Sequence, residues 1–329
     1  MRKTIVSMAA TAILLGGSFA AEAKTTLRLT LQLPLKSSLG QNVAAFKKEV
    51  EAASKGDLEI QIYDSAQLYK DKEVPQAVGS GAIEMGVSSI TRFAGQIPAV
   101  DVLYVPFLFN TSDLVRKAVA PGSPVRGPID AAVLKTGNRI LWWQAYGSNV
   151  VLSKGAFIKT PADFKGKKAR VFSKSLATWV SSMGGAPVNT AGSEQYLAYQ
   201  RGTVDIGMTG PTTIKSRKIY EVMDHITLVN NAVIEFVVVI NDKKWKSLTD
   251  AQRKVIAAAA VKVEAQLRDH QARLESESIE VGKKNGMKVH EPTADEVKAW
   301  KATAKPVIDQ FLKASGALGK QVYEAAQKL

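Results

Sequence analysis

The side-chain sets that announce enzyme chemistry are largely missing from this sequence. The 329 residues include no cysteine and only three histidines, His225, His270 and His290, which share no short motif. Disulfides, thiolate metal sites and cysteine nucleophiles are thereby excluded, and a sequence-local histidine metal site is not expected. No His-Glu-x-x-His, Gly-x-Ser-x-Gly, Ser-x-x-Lys or Gly-x-x-x-x-Gly-Lys-[Ser/Thr] pattern occurs. Gly79-Ser-Gly81 opens like a dinucleotide loop, but Glu84 stands where the third glycine belongs and the segment precedes its strand. Any two of thirty acidic residues could still meet in space. No cofactor and no metal are therefore expected.

What remains is binding chemistry. Arg170 sits near the end of a strand-like segment, Lys168 to Phe172, where alternation calls for an apolar or neutral residue. A guanidinium there either closes a surface ion pair on an edge strand or offers its planar paired donors to a carboxylate. Trp142, Trp143 and Tyr146 cluster, and Trp179 follows nine residues after Arg170. Adjacent strand residues point to opposite faces, so at most one of Trp142 and Trp143 can face a cleft. These aromatics form either core packing or an aromatic wall beside Arg170.

The elements that must position these residues read as an α/β chain. Leu27 to Leu31 alternates as a strand. Ser38-x-x-Gln41 is a capping box, followed by Val43, Phe46, Val50 and Ala53 on one helical face up to Gly56. Leu58 to Tyr63 alternates again. Strand, helix, strand predicts a largely parallel sheet. Farther on, Leu176 to Met183 reads as a helix and Val233 to Ile240 as a buried strand.

One pattern occurs twice. Gly81-Ala-Ile-Glu-Met-Gly-Val-Ser88 matches Gly202-Thr-Val-Asp-Ile-Gly-Met-Thr209, each preceded by a predicted helix, Glu73 to Val78 and Ser193 to Gln200. Each copy reads as helix, glycine stop, buried strand and terminal hydroxyl. Two such units predict two similar lobes, each presenting a strand end to a shared cleft, where ligands of open α/β sheets bind. Chance similarity of two α/β units is the alternative. Thr249-x-x-Gln252 caps a helix running to about Lys284, long enough to lie across both lobes unless it breaks near Asp269-His270. Thr293-x-x-Glu296 caps a further helix through Trp300. A last helical region starts at Pro306 and is interrupted at Gly316.

The N-terminus carries Arg2-Lys3, an apolar run to about Ala20, and Ala21-Glu-Ala23. These are the parts of a secretory signal peptide, with cleavage expected after Ala23 or Ala20. The run is too short and interrupted for a membrane span. The net charge of +14 is spread over pairs such as Lys47-Lys48 and Lys167-Lys168, not gathered on one aromatic-bearing segment. With export, this argues against nucleic acid as a partner and for steering of small anions.

Specific segments resemble one family. Asp163-Phe-Lys-Gly-Lys-Lys-Ala-Arg-Val171 is similar to a segment of the solute-binding proteins of TRAP (tripartite ATP-independent periplasmic) transporters, the dicarboxylate-binding-protein family. Ser65-Ala-Gln-Leu68, Val105-Pro-Phe-Leu-Phe109, Ser193-Glu-Gln-Tyr196, Gly202-Thr-Val-Asp205 and Lys218-Ile-Tyr-Glu-Val222 follow in the family's order, so the resemblance covers most of Leu27 to Phe311. It implies a two-lobed periplasmic-binding-protein fold of type II-like form. The implied function is capture of a small organic acid and its delivery to membrane permease subunits. The family's carboxylate-binding arginine falls on Arg170. Thr209 stands where many members carry an asparagine, and Ser148 or Asn149 where many carry a second arginine. That departure weakens the match to a dicarboxylate and favours a monocarboxylate. Arg92, in Ser88-Ser89-Ile-Thr-Arg92, either compensates or is structural. Gln32, at the end of the first strand, is a candidate polar contact.

The resulting expectation is a periplasmic receptor, not an enzyme and a monomer, that closes on an organic monocarboxylate, with aromatic acids among the candidates. Its ligand contacts would come from Arg170, Thr209, Asn149, Ser148, Arg92, Ser89, Gln32, Trp143, Tyr146 and Trp179. Lobe one would comprise residues 24–147 plus 236–275, and lobe two 148–235 plus 276–329. Other readings are a sensor docking to a membrane receptor, a dicarboxylate or keto-acid binder, and an exported hydrolase with dispersed acids.

Overall fold

The computed structural model describes residues 24–329, so the segment 1–23 expected to be a signal peptide, with its expected cleavage site, lies outside the described residues. Two sheets form the frame. The strands in chain order are β1 (Thr25–Thr30), β2 (Leu58–Tyr63), β3 (Met85–Ser89), β4 (Asn138–Ser148), β5 (Val150–Ser153), β6 (Lys168–Val171), β7 (Ala186–Asn189), β8 (Ile206–Thr209), β9 (His225–Thr227), β10 (Val233–Asn241) and β11 (Lys288–His290). Sheet one has the order β2-β1-β3-β10-β4 and sheet two β11-β9-β5-β8-β6-β7. β1 pairs in parallel with β2 and β3, as the opening strand–helix–strand pattern predicts, while β10 is antiparallel to both β3 and β4.

The chain passes between the sheets along nearly continuous strands. β4 ends at Ser148 in sheet one, and β5 starts at Val150 in sheet two. β9 belongs to sheet two and β10 returns to sheet one. The apolar run of β10 is buried along its whole length, as a central strand covered on both faces requires.

The two copies of the repeated pattern fold alike. Gly81 (φ +86°) and Gly202 (φ +64°) follow the helices Val74–Ser80 and Gln195–Gln200 in left-handed backbone, which costs a glycine little. The following strands β3 and β8 end at Ser89 and Thr209, one in each sheet.

The long helix Asp250–Lys284 is unbroken over 35 residues, roughly 50 Å. Its capping box Thr249/Gln252 forms as the sequence indicates. It packs on the helix Ser38–Ala53 and β4 of the first lobe, and on the helix Thr212–Ser216 of the second. Two buried ion pairs pin it: Glu264 with Arg126, and Arg268 with Glu235 of β10 at 2.8 Å. No break occurs near His270. The helix Lys305–Ala326 has a non-helical kink at Gly316, as expected. It packs on Pro98–Tyr104 and Arg126–Leu134 of the first lobe as well as on Lys174–Ser182 of the second. The reason is its apolar stripe, with Val307, Phe311, Val322 and Ala326 all buried, which one lobe alone does not cover.

Candidate ligand-binding site

β6 lies between β8 and β7, so Arg170 stands on an internal strand and not at an edge. It is 4% exposed. The pleat puts Phe172 on the same face, and the Arg170 guanidinium lies over that ring at 4.7 Å from its centroid. Its Nε and Nη2 donate to the Thr190 carbonyl at 3.1 and 2.9 Å, and Nη1 donates to the Met208 carbonyl at 2.6 Å. No acidic side chain pairs with it among the described residues. The surface-ion-pair alternative is therefore excluded by burial and by the lack of a partner. Burial, reinforced by the nearby Arg217 and Arg92 and opposed by Tyr199, lowers its pKa to about 10, so it remains charged at neutral pH.

Arg170 opens onto a cavity lined from both lobes. From the second lobe come Arg170, Phe172, Gly192, Thr209 and Arg217; from the first and the hinge strands come Gln32, Asp71, Ser89, Arg92, Tyr146, Ile234 and Phe236. The strands of the two repeated units thus end at one cavity, β8 through Thr209 and β3 through Ser89, one residue past the unit's terminal Ser88. Thr209 shares a hydroxyl chain with Thr213 (3.0 Å) and Tyr146 (2.9 Å). Tyr146 sits edge-on to Phe236. The Asp71 carboxylate accepts from the Ser89 N–H at 2.9 Å and pairs with the Arg92 guanidinium. Gln32 is buried, with its Oε1 unpartnered. Beyond the cavity, Lys70 of the first lobe pairs with Glu194 of the second at 3.1 Å, which ties the two sides of the cleft together.

Six of the ten expected contacts therefore line one cavity: Arg170, Thr209, Arg92, Ser89, Gln32 and Tyr146. Four do not. Trp143 points to the opposite face of β4 from Trp142, as the pleat demands, but both are core. Trp143 Nε1 donates to Asp130 Oδ1 at 2.8 Å, and Trp142 stacks on Phe46. Trp179 packs against Phe164 and Trp300, its Nε1 donating to Thr303. Asn149 is fully buried at the hinge, where its amide donates to Asn231 Oδ1 at 2.8 Å. Ser148 lines a separate cavity beneath the long helix, with Gly147, Glu235 and Glu275. Strand alternation puts Tyr146, Ile234 and Phe236 toward one cavity and Ala145, Gly147, Val233 and Glu235 toward the other, whereas Ser148 departs from it at the strand end, beside the register shift at Ile234/Glu235.

Sequence reasoning missed Asp71, Phe172, Gly192, Arg217, Ile234 and Phe236. Phe172 was within reach, two residues from Arg170 on one strand face. Asp71 and Gly192 lie outside any periodic segment, and β10 carries no alternation to single out Ile234 and Phe236.

Comparison with known proteins agrees with this geometry. The family model "Bacterial extracellular solute-binding protein, family 7" matches residues 31–314. The C4-dicarboxylate-binding periplasmic protein DctP of Rhodobacter capsulatus is 27% identical over 281 residues, 84% of each chain. The sialic acid-binding periplasmic protein SiaP of Vibrio cholerae is 26% identical over 313 residues, 94% of this chain and 95% of that one. Among solved structures, a TRAP periplasmic solute-binding protein from Shewanella oneidensis with bound succinate superposes with a TM-score of 0.87 at 26% identity, covering 93% of this chain and 99% of that one. DctP6 of Bordetella pertussis, an extracytoplasmic solute receptor binding pyroglutamic acid, gives 0.87 at 25% identity, covering 93% and 100%. The family is one of solute receptors and not of enzymes. A two-lobed α/β frame, a cavity shared by both lobes and a match over most of the length converge: the chain belongs to the bacterial extracellular solute-binding protein family 7, the solute receptors of TRAP transporters.

Proposed function

We propose that this protein captures a small organic acid in the periplasm and presents it to the membrane permease subunits of a TRAP transporter. The observation that carries this reading is Arg170: a buried, charged guanidinium with no acidic partner among the described residues, opening onto the interlobe cavity. Three of its five N–H groups serve backbone carbonyls, and the other two remain for a carboxylate. Relatives bind succinate and pyroglutamic acid, each carrying a carboxylate that such a guanidinium matches.

Contacts from both lobes make the ligand part of the interface, so it favours the closed arrangement by its differential affinity. Thr209 offers a hydroxyl beside Arg170, held by Thr213 and Tyr146. The aromatic wall expected from the tryptophans is supplied by Tyr146, Phe172 and Phe236. The reading of a single carboxylate rests on the missing arginine at positions 148 and 149; Arg217 lines the cavity from another element.

A thermal-shift screen of the purified protein tests the reading. Each small acid is added at about 1 mM, alongside its neutral amide. A micromolar ligand adds roughly 4 kcal/mol by mass action, a shift of several degrees. A rise with acids and not with amides is expected. A flat screen on protein shown ligand-free by native mass spectrometry would overturn the proposal.

A further inference from the structure

Three hydroxyls stand in a row at the second-lobe wall of the cavity. Tyr146 Oη lies 2.9 Å from Thr213 Oγ1, which lies 3.0 Å from Thr209 Oγ1. Tyr146 and Thr209 line the cavity; Thr213 stands behind them and is completely buried. The fold builds the row locally. β8 ends at Thr209, and the helix Thr212–Ser216 starts three residues on. The Thr213 N–H donates to the Gly210 carbonyl at 3.1 Å, which folds the turn back on Thr209. Gly210 lets that turn close on the hinge strand β4. A Cβ there would stand 2.7 Å from the Tyr146 carbonyl oxygen and 3.0 Å from its ring carbon Cδ1.

The direction of the bonds follows from counting protons. Each hydroxyl has one proton to donate and two lone pairs. The Thr213 hydroxyl is sealed from solvent and touches only the other two among the described residues. Its single proton therefore goes to one of them. If it went to Tyr146, Thr209 would spend its own proton on Thr213, and the phenol proton would have no partner among the described residues. In the other direction Tyr146 donates to Thr213 and Thr213 donates to Thr209. The Thr209 proton is then left for the cavity, beside Arg170. Only this direction suits an ionised carboxylate, which accepts and does not donate. The reverse would set lone pair against lone pair. Hydroxyls linked in one direction also polarise one another, which strengthens the last bond of the row.

We propose that Thr213 is a positioning residue: it accepts from Tyr146, donates to Thr209 and so turns the Thr209 proton toward the ligand. This rests on the organic-acid reading above and deepens it. Tyr146 sets the direction of the row from the hinge strand, and Thr213 carries it to the cavity wall without lining the cavity itself.

Titration calorimetry on protein shown ligand-free by native mass spectrometry tests this. The probe is whichever of succinate, pyroglutamate, glucuronate and benzoate raises the melting temperature most. Thr213→Val keeps the side-chain shape and removes the hydroxyl; it is expected to weaken binding about three- to tenfold. Thr213→Ser restores the hydroxyl and is expected to stay within twofold of wild type. In a Thr209→Val background no proton remains to be turned, so Thr213→Val is expected to add less than twofold. A Thr213 of purely structural role would cost the same in both backgrounds. Should Thr213→Val not fold, Tyr146→Phe gives the same comparison: threefold or more weaker alone, less than twofold in the Thr209→Val background. The proposal is overturned if the variants bind within twofold of wild type, if their cost is equal in both backgrounds, or if Thr213→Ser is as weak as Thr213→Val. In each of those cases acid binding itself persists, and the reading based on Arg170 stands. Binding of none of the four acids would instead sink that reading together with this one.

Discussion

Replacing Arg170 with lysine keeps the charge and removes the fork. In the structure the guanidinium spends three N–H groups on the Thr190 and Met208 carbonyls and has two left. An ammonium has three donors in all and a shorter reach. With one donor on each carbonyl it has at most one left for a carboxylate, where the guanidinium has two, and its shorter reach strains the carbonyl contacts. Losing one charge-assisted bond to the ligand costs about 1.5–3 kcal/mol, which is roughly a ten- to hundredfold weaker Kd. A buried carbonyl left without a donor costs a further ~1–3 kcal/mol of stability, seen as a melting temperature lower by a few degrees. The assay is titration calorimetry at 25 °C with whichever acid gives the largest thermal shift. Because the Arg170 pKa is about 10, the wild-type affinity is expected to be flat between pH 6 and 8. A folded Arg170→Lys protein with Kd within twofold of wild type would refute the reasoning, because the fork would then contribute nothing to the ligand.

Further outcomes follow from other residues. Asp101 is buried, accepts from the Ser175 N–H at 2.9 Å, and has its pKa raised from 3.8 to about 6 by burial. A raised carboxyl pKa means the folded state holds the proton more tightly than the unfolded chain between those values. Stability from this group is therefore present below about pH 4 and is lost as pH rises through 6, by about 3 kcal/mol. Urea unfolding should show the difference between wild type and Asp101→Asn changing by about that amount from pH 4 to 7; a constant difference would contradict it. Trp179→Phe loses the bond to Thr303 and part of its packing on Trp300, so stability falls by about 1–3 kcal/mol while ligand affinity stays within twofold. A tenfold loss of affinity would instead put Trp179 at the ligand. Gly147 has φ +96°, and a Cβ there would lie 2.3 Å from Glu275 Oε1 under the long helix. Gly147→Ala is expected to destabilise by roughly 2 kcal/mol or more, measured as a lower urea midpoint.

The α/β class, the repeated helix–glycine–strand unit, the spanning helix and the Gly316 interruption were all legible in the sequence. They depend on local rules: period, capping, glycine at positive φ. Arg170 was legible as an anomaly, a charge where the strand pattern wanted none, and the family resemblance gave it a role. The repeated unit also led to Thr209 and to the end of β3, where Ser89, the residue after the unit's Ser88, lines the cavity, because a strand end is a position in the chain as well as in space.

Only the tertiary structure decided the rest of the cavity. Whether Trp143 faces ligand or core depends on what covers each face of β4, and the helix Arg126–Leu134 covers that one. Asn149 and Ser148 neighbour Tyr146 in sequence but are turned away from its cavity at the hinge. Arg217 is brought there from 47 residues beyond Arg170 by the turn after β8. A sequence carries periodicity within an element, whereas the charge balance of a cavity is set by which elements meet, and those contacts are far apart along the chain.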